Sequence, residues 1–199
     1  MTNKEINKNK AVFLDRDGTI VEDYGYITIW NKDLLIPNSI EAIKLLNDNH
    51  YKVIVVTNQA GIAHGFITEE DVILFNKQMK EEIEWQGAKI DAFYYCPFHN
   101  NGKIEKYKKD ADCRKPNPGM LKRAEKEFNI DLSQSWIIGD QKTDIDAGNS
   151  VGCRSILVLT GHGNRELEND DNDINFDHLS DNLYDAVNKV ILNIKEKHG

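Results

Sequence analysis

Apolar residues follow two rhythms along this chain. Short unbroken runs, rich in Val, Ile and Leu, alternate with longer stretches in which apolar positions recur every three or four residues. The runs are "AVFL" (11–14), the apolar part of "KVIVVTNQAG" (52–61), "IDAFYYCP" (90–97), "SWIIGD" (135–140) and "RSILVLTG" (154–161). Unbroken runs of this length predict strands buried on both faces. Helical spacing appears in "SIEAIKLLNDN" (39–49), where Ile40, Ile43, Leu45 and Leu46 fall at helical intervals and Asn38 or Ser39 supplies a cap. A long helix is predicted over 68–87, opened by the capping-box pair Thr68 and Asp71 and stopped at Gly87. Further helices are expected over 118–130, with Asn117 as cap and Pro118 in the first turn, over 143–152, and over 182–197. In the last of these, Leu183, Val187, Val190, Ile191 and Ile194 form a face that docks on the core. Residues 1–10 read as a polar, disordered lead-in, 98–116 as an irregular lysine-rich loop insertion, and 162–179 as a polar, acidic connection.

Strands that alternate with helices predict an α/β fold, a doubly wound (Rossmann-like) parallel sheet covered on both faces, built by residues 11–199 as one domain. In such sheets ligands bind beyond the carboxyl ends of the strands, near the point where strand order reverses. Polar residues gather there: Asp15 and Asp17 after the first run, Thr57 and Asn58 after the second, Asp140 after the fourth. Arg114 and Lys115 follow the irregular excursion.

Composition narrows this picture. The chain has 199 residues, 40% of them hydrophobic, enough for one ordinary core. A formal net charge of -8 argues against general attraction to nucleic acid, although a local positive cluster can still hold a small anion. No apolar run reaches the ~18 residues that a membrane span needs, and "MTNKEINKNK" has no apolar signal segment. Three cysteines, without disulfide-framework spacing, fit a reducing cytoplasm. Cys153, beside the fifth run, is expected as a small buried hydrophobe. A monomer is expected, with no nucleic-acid and no membrane partner.

The polar groups at the strand ends share a chemistry. Asp15 and Asp17 lie in D-x-D-G-T, Thr57 ends a strand, Lys115 precedes Pro116 at the mouth of a helix, and Asp140 opens G-D-x-x-x-D with Asp144. Taken singly, each is an ordinary turn, cap or surface residue. In this order they resemble the phosphatase branch of the haloacid dehalogenase (HAD) superfamily. The resemblance implies that Asp15 is the nucleophile and Asp17 the general acid/base, and that Thr57 and Lys115 bind the transferring phosphoryl group. It also implies Mg²⁺ held by the Asp15 carboxylate, the Asp17 backbone carbonyl and the Asp140 carboxylate. Those residue types suit the reaction. A carboxylate attacking a phosphate dianion is opposed by like charge, which a hard cation and a lysine relieve. A covalent aspartyl-phosphate then divides one slow step into two. About forty residues separate Asp15 from Thr57 and about sixty separate Thr57 from Lys115, so neither gap holds a separate cap domain.

Longer stretches sharpen the resemblance. "FLDRDGTIVEDYGY", "VTNQAGIAHGFIT", "YYCPFH", "DCRKPNPGML" and "IIGDQKTDIDAG" are similar to the heptose bisphosphate phosphatase and histidinol-phosphate phosphatase subfamily. This implies removal of the C7 phosphate of D-glycero-D-manno-heptose 1,7-bisphosphate, in nucleotide-heptose biosynthesis for lipopolysaccharide or surface polysaccharide. Histidinol phosphate or another small sugar phosphate is the alternative substrate, and a non-catalytic phosphosugar-binding protein the alternative class. By the same resemblance Tyr26, Asn58, Gln59, Arg114 and Lys115 meet the substrate, with the Arg114 fork suited to a second, non-reacting phosphate. The subfamily's structural zinc would call on Cys96, His99 and Cys113. Here two expected ligands are Phe98 and Ala111, and because structural zinc is closed by four ligands, a zinc-free loop is the expectation. His64 stands where the subfamily often carries arginine.

Overall fold

β1 (Ala11–Leu14) is buried at every position and lies near the middle of the sheet. A computed structural model of the chain describes residues 8–169 and 173–193. β1 is flanked by β2 (Lys52–Asn58) and β4 (Trp136–Gly139), and the sheet is completed by β3 (Ala92–Cys96), β5 (Arg154–Val158) and β6 (His178–Ser180). The order is β3-β2-β1-β4-β5-β6, and every pair is parallel. The expected doubly wound α/β sheet is therefore present. Strand order reverses between β1 and β4, and both strands end in an aspartate at that reversal.

Alternate residues of each strand face opposite layers. Val12, Leu14, Val53, Val55 and Ile138 pack with Ile43 and Leu46 of α1 (Ser39–Asp48), with Phe75, Met79 and Ile83 of α3 (Glu69–Trp85), and with Leu183 and Val187 near the C-terminus. Phe13, Ile54, Val56 and Ile137 face Met120, Leu121 and Ala124 of α4 (Gly119–Phe128) and Ala147 of α5 (Lys142–Asn149). Between β2 and α3 lies α2 (Ala60–His64), and after β5 comes α6 (Gly163–Glu168). Neither the segment after β1 nor the one after β2 builds a separate domain over the strand ends.

Several expectations shift at the edges of elements. α3 starts at the predicted capping box, with Thr68 accepting from the Asp71 N–H and Asp71 from the Thr68 N–H. Asn38 stands before α1 in a left-handed conformation and makes no side-chain cap bond. α4 begins at Gly119 with Pro118 in the cap position, because Asn117 turns its amide to the Ala111 carbonyl instead. The third strand is shorter than 90–97. A sixth strand, His178–Ser180, begins within the stretch read as a polar connection and ends one residue beyond it; only Ser180 of its three residues is buried, so no apolar run marked it. Within the lead-in, Asn9 pairs with the chain at Ile130 and donates its side-chain amide to the Phe128 carbonyl at 2.6 Å, so residues 8–10 belong to the fold. Residues 1–7 lie outside the described residues. The closing helix runs from Leu183, with a π-helical stretch over Ala186–Ile191; Ile194 lies outside the described residues. Among the described residues no helix is long and apolar enough to cross a membrane.

Candidate active site

β1 and β4 deliver two carboxylates side by side. Asp15 and Asp140 directly follow these strands, and Asp144 projects back from the first turn of α5. All three are buried, and each offers a carboxylate oxygen within 4.8 Å of the others. Lys115 enters from the turn before α4 and is only 2% exposed. Its Nζ donates to Asp15 Oδ1 at 2.6 Å, to the Val56 carbonyl at 2.7 Å and to Asp144 Oδ1 at 2.5 Å. A buried ammonium with three acceptors has no free donor, so its direction is set by the protein. Asn58 fixes the backbone beneath it: Lys115 N–H donates to Asn58 Oδ1, and Asn58 Nδ2 to the Lys115 carbonyl, both at 3.0 Å. The following Lys115–Pro116 peptide is cis.

Electrostatics match this crowding. Burial pushes the Asp15 carboxyl up to about 7; Lys115 pulls against it, while the Asp144 and Asp17 charges add to the rise. Burial, then Asp15 and Asp144, push Asp140 up to about 9. Burial works against charge on Lys115, but Asp144 and Asp15 overcome it and hold the ammonium protonated above its usual range. Three carboxylates against one lysine leave the site short of positive charge. Asp140 shows where the shortfall lies: Oδ2 accepts from the His162 N–H at 2.7 Å, but Oδ1 is buried without a partner among the described residues. An all-oxygen donor set with an unpartnered carboxylate oxygen fits a hard divalent cation such as Mg²⁺. A Cβ on Gly18 (φ 84) or Gly161 (φ 55) would overlap Asp140 Oδ2.

Asp17 takes a different position. Its Oδ1 accepts from Arg16 Nε at 3.0 Å, and its Oδ2 from Arg16 Nη2 at 2.9 Å and Gln59 Nε2 at 2.8 Å. The Thr57 hydroxyl lies 3.4 Å from the same Oδ2 and accepts from Gln59 Nε2 at 2.9 Å. Asp15, Asp17, Thr57, Asn58, Gln59, Lys115, Asp144 and Tyr26 line one cavity of about 250 Å³, with Asp23, Gln141 and Thr143 on its rim.

The structure brings Asp15, Asp17, Thr57 and Lys115 to one cavity with Asp140 beside it; Lys115 arrives from the turn before α4 and not from a strand end. Asn58 and Gln59 line the cavity, but their amides are spent on Lys115 and on Asp17 and Thr57. Tyr26 is half-exposed and stacks on Phe66, ring centres 4.7 Å apart. Arg114 lies outside the cavity lining and donates to the Phe98 carbonyl at 3.3 Å. Asp144 was left out of the expected ligand set, although its place four residues after Asp140, in a first helical turn, marked it. Asp146 pairs with Lys142 at 3.2 Å. The His162 N–H contact to Asp140 had no local signal, since it depends on the β5–α6 turn.

The zinc expectation meets a definite arrangement. Cys96, at the end of β3, and Cys113 form a disulfide, with Cα atoms 5.5 Å apart, and Cys153 is free and buried. The His99 ring faces His64, with centres 4.9 Å apart, and its Nδ1 accepts from the Asn101 N–H. Among the described residues Cys96, His99 and Cys113 form no gathered ligand group, and the reading that the cysteines lack disulfide spacing is corrected for Cys96 and Cys113. A spacing of 17 residues hid the pairing, because it arises from β3 and the turn before α4 meeting in three dimensions. The loop is otherwise tied down by Glu69, which accepts from Tyr95, Tyr107 and Lys106, and by the Ala63 carbonyl, which accepts from the Lys103 and Ile104 N–H groups.

A family model described as HAD-hydrolase-like matches residues 112–186. The D-glycero-D-manno-heptose-1,7-bisphosphate 7-phosphatase of Chlorobaculum tepidum is 39% identical over 189 residues, 92% of this chain and 94% of its own length. The chain belongs to the HAD-like phosphatases. A second relative, the D-glycero-beta-D-manno-heptose-1,7-bisphosphate 7-phosphatase of Haemophilus influenzae, is 43% identical over 156 residues, 77% of this chain and 83% of its own. Among solved structures, the D,D-heptose 1,7-bisphosphate phosphatase of B. bronchiseptica, complexed with magnesium and phosphate, superposes with a TM-score of 0.80 at 25% identity, covering 92% of this chain and 99% of that one. As a HAD-like phosphatase this chain is a hydrolase of phosphate esters, and its capless sheet leaves the strand-end cavity open to a small phosphorylated substrate.

Proposed function

We propose that this chain removes the C7 phosphate of D-glycero-D-manno-heptose 1,7-bisphosphate through an aspartyl-phosphate on Asp15. The observation that carries the reading is the buried Asp15–Lys115–Asp144 array beside Asp140, opening on the cavity that Asp17 shares. The names of the relatives support the substrate.

Asp15 is aimed by β1 and by Lys115, so its free oxygen attacks phosphorus while Lys115 balances charge on the equatorial oxygens. The Thr57 hydroxyl donates to the same phosphoryl group. Asp17 hands a proton to the departing sugar oxygen and then takes one from the water that opens the aspartyl-phosphate. Asp15, Asp140 and Asp144, with the Asp17 backbone carbonyl, would hold Mg²⁺, which when bound supplies charge neutralisation for the phosphoryl oxygens. Asn58 and Gln59 act at one remove, by fixing Lys115 and Asp17. Tyr26 flanks the sugar at the cavity mouth, and Arg114 meets the second phosphate after turning from the Phe98 carbonyl. The reading also carries a cytoplasmic location and a monomeric working form.

The test is phosphate release, with Mg²⁺, from both anomers of heptose 1,7-bisphosphate, histidinol phosphate, fructose 1,6-bisphosphate and p-nitrophenyl phosphate. The highest kcat/KM should fall on a heptose bisphosphate, leaving the 1-phosphate. A preference for histidinol phosphate over every sugar bisphosphate contradicts the substrate assignment.

A further inference from the structure

Arg16 carries no chemistry in the reading above, yet it is 3% exposed and every end of its guanidinium is engaged. Nε and Nη2 form a fork on the two oxygens of Asp17, at 3.0 and 2.9 Å. Nη1 donates to Asn76 Oδ1 at 2.9 Å, and the guanidinium carbon lies 4.6 Å from the centre of the Phe75 ring. Asn76 is itself 6% exposed, and both it and Phe75 belong to α3, a 17-residue helix packed into the core. The backbone of Arg16 is fixed as well, its carbonyl accepting from the Ile20 and Val21 N–H groups at 3.0 and 3.1 Å.

A chain of buried contacts therefore runs from the core helix to the Asp17 carboxylate. A free aspartate side chain turns about two bonds, and proton transfer requires one oxygen held within hydrogen-bond reach of the leaving group. The fork removes that freedom, since a planar guanidinium matches a carboxylate only in one plane. It also makes the two oxygens unlike. Oδ2 accepts from Arg16 and Gln59, with the Thr57 hydroxyl close by, whereas among the described residues Oδ1 accepts from Arg16 alone. Each carboxylate oxygen has two lone-pair positions, so Oδ1 is the oxygen with capacity left.

We propose that Arg16, braced by Asn76, is a positioning residue that orients Asp17 so that Oδ1 exchanges the proton with the leaving group and the attacking water. This rests on Asp17 acting as the acid/base. Arg16 touches no reacting atom; it acts through Asp17.

The test separates orientation from mere stability by using leaving groups. A sugar or alkyl phosphate expels an alkoxide and needs the proton; p-nitrophenyl phosphate expels a stable anion and does not. The ratio of kcat/KM for a hexose 6-phosphate to that for p-nitrophenyl phosphate is measured in Asn76→Leu, Asn76→Asp, Arg16→Lys and Asp17→Asn, each checked for native melting behaviour. General acid assistance is worth roughly 10²–10⁴-fold, so loss of the fork in Arg16→Lys should lower the ratio at least about tenfold. Asn76→Leu should lower it in the same direction, and Asn76→Asp, which keeps the acceptor oxygen, should restore it. An unchanged ratio in Asn76→Leu and Arg16→Lys, whether both rates fall together or neither falls, overturns the proposal. If Arg16→Lys does not fold, the Leu and Asp pair at Asn76 decides. Asp17→Asn tells the two failures apart: a selective fall there with an unchanged ratio in the others rejects only the positioning role. No selective fall in Asp17→Asn rejects the acid/base reading itself.

Discussion

Removing the divalent cation should make this protein less stable as pH rises, and restoring it should cancel the effect. In the metal-free fold Asp15 and Asp140 are pushed up to about 7 and about 9, first by burial and then by neighbouring carboxylates: Asp144 and Asp17 for Asp15, Asp15 and Asp144 for Asp140. In the unfolded chain both return to about 3.9. Between those values the native state binds more protons than the unfolded state, so stability falls with increasing pH. Each extra proton contributes a slope of about 1.4 kcal/mol per pH unit, so between pH 6.5 and 8 the loss should be roughly 1.4–2.7 kcal/mol per unit, for one to two extra protons. For a chain of this size that is roughly 3–10 °C of Tm per pH unit. With Mg²⁺ at about 100 times its Kd the protein gains about 2.7 kcal/mol. Both carboxylates are then ionised, so the slope should flatten. The assay is thermal unfolding with chelator and with Mg²⁺ at several pH values, in buffers of matched ionic strength. A metal-free Tm that stays level or rises from pH 6.5 to 8 would refute the claim that the buried acids are uncompensated without a cation.

Three further outcomes follow from the same contacts. Lys115→Met leaves Asp15 and Asp144 buried without their shared counter-charge, so calorimetry of the metal-free variant should show a loss of about 3–5 kcal/mol, and phosphatase assays a collapse of kcat. Gly18→Ala forces a side chain into a backbone of φ 84 and against Asp140 Oδ2; the backbone alone should cost about 1–3 kcal/mol, and the Mg²⁺-induced rise in Tm should shrink with it. Protein purified without reductant and then denatured should titrate for one thiol, that of Cys153, and elemental analysis should find zinc far below one equivalent per chain.

How legible all this was depends on whether the signal is local. β1, β2, β4 and β5 announce themselves as continuous apolar runs because both faces of a central parallel strand are buried. The polar residues at their ends, Asp15, Thr57 and Asp140, could then be placed from strand position alone. β6 could not, because an edge strand with two exposed residues of three carries little apolar pattern. The same holds inside the site. Asn58 and Gln59 read as residues that meet the substrate, and nothing in "TNQAG" reveals that one amide clamps the Lys115 backbone and the other Asp17. Nothing local marks Arg16, because its partner Asn76 lies 60 residues away on α3. The Cys96–Cys113 pairing is likewise a product of tertiary approach. What was lost each time is a contact between groups distant in sequence; what was kept is the order of groups delivered by single strands.

The central claim is that Asp15 becomes covalently phosphorylated, and trapping tests it most directly. Enzyme turning over heptose 1,7-bisphosphate with Mg²⁺ is acid-quenched, reduced with borohydride and digested. The account predicts that position 15 alone is converted to homoserine, and that Asp17→Asn, slowed in opening the intermediate, accumulates more of it. Conversion at Asp17, Asp140 or Asp144, or turnover with no trapped residue in either protein, would contradict it.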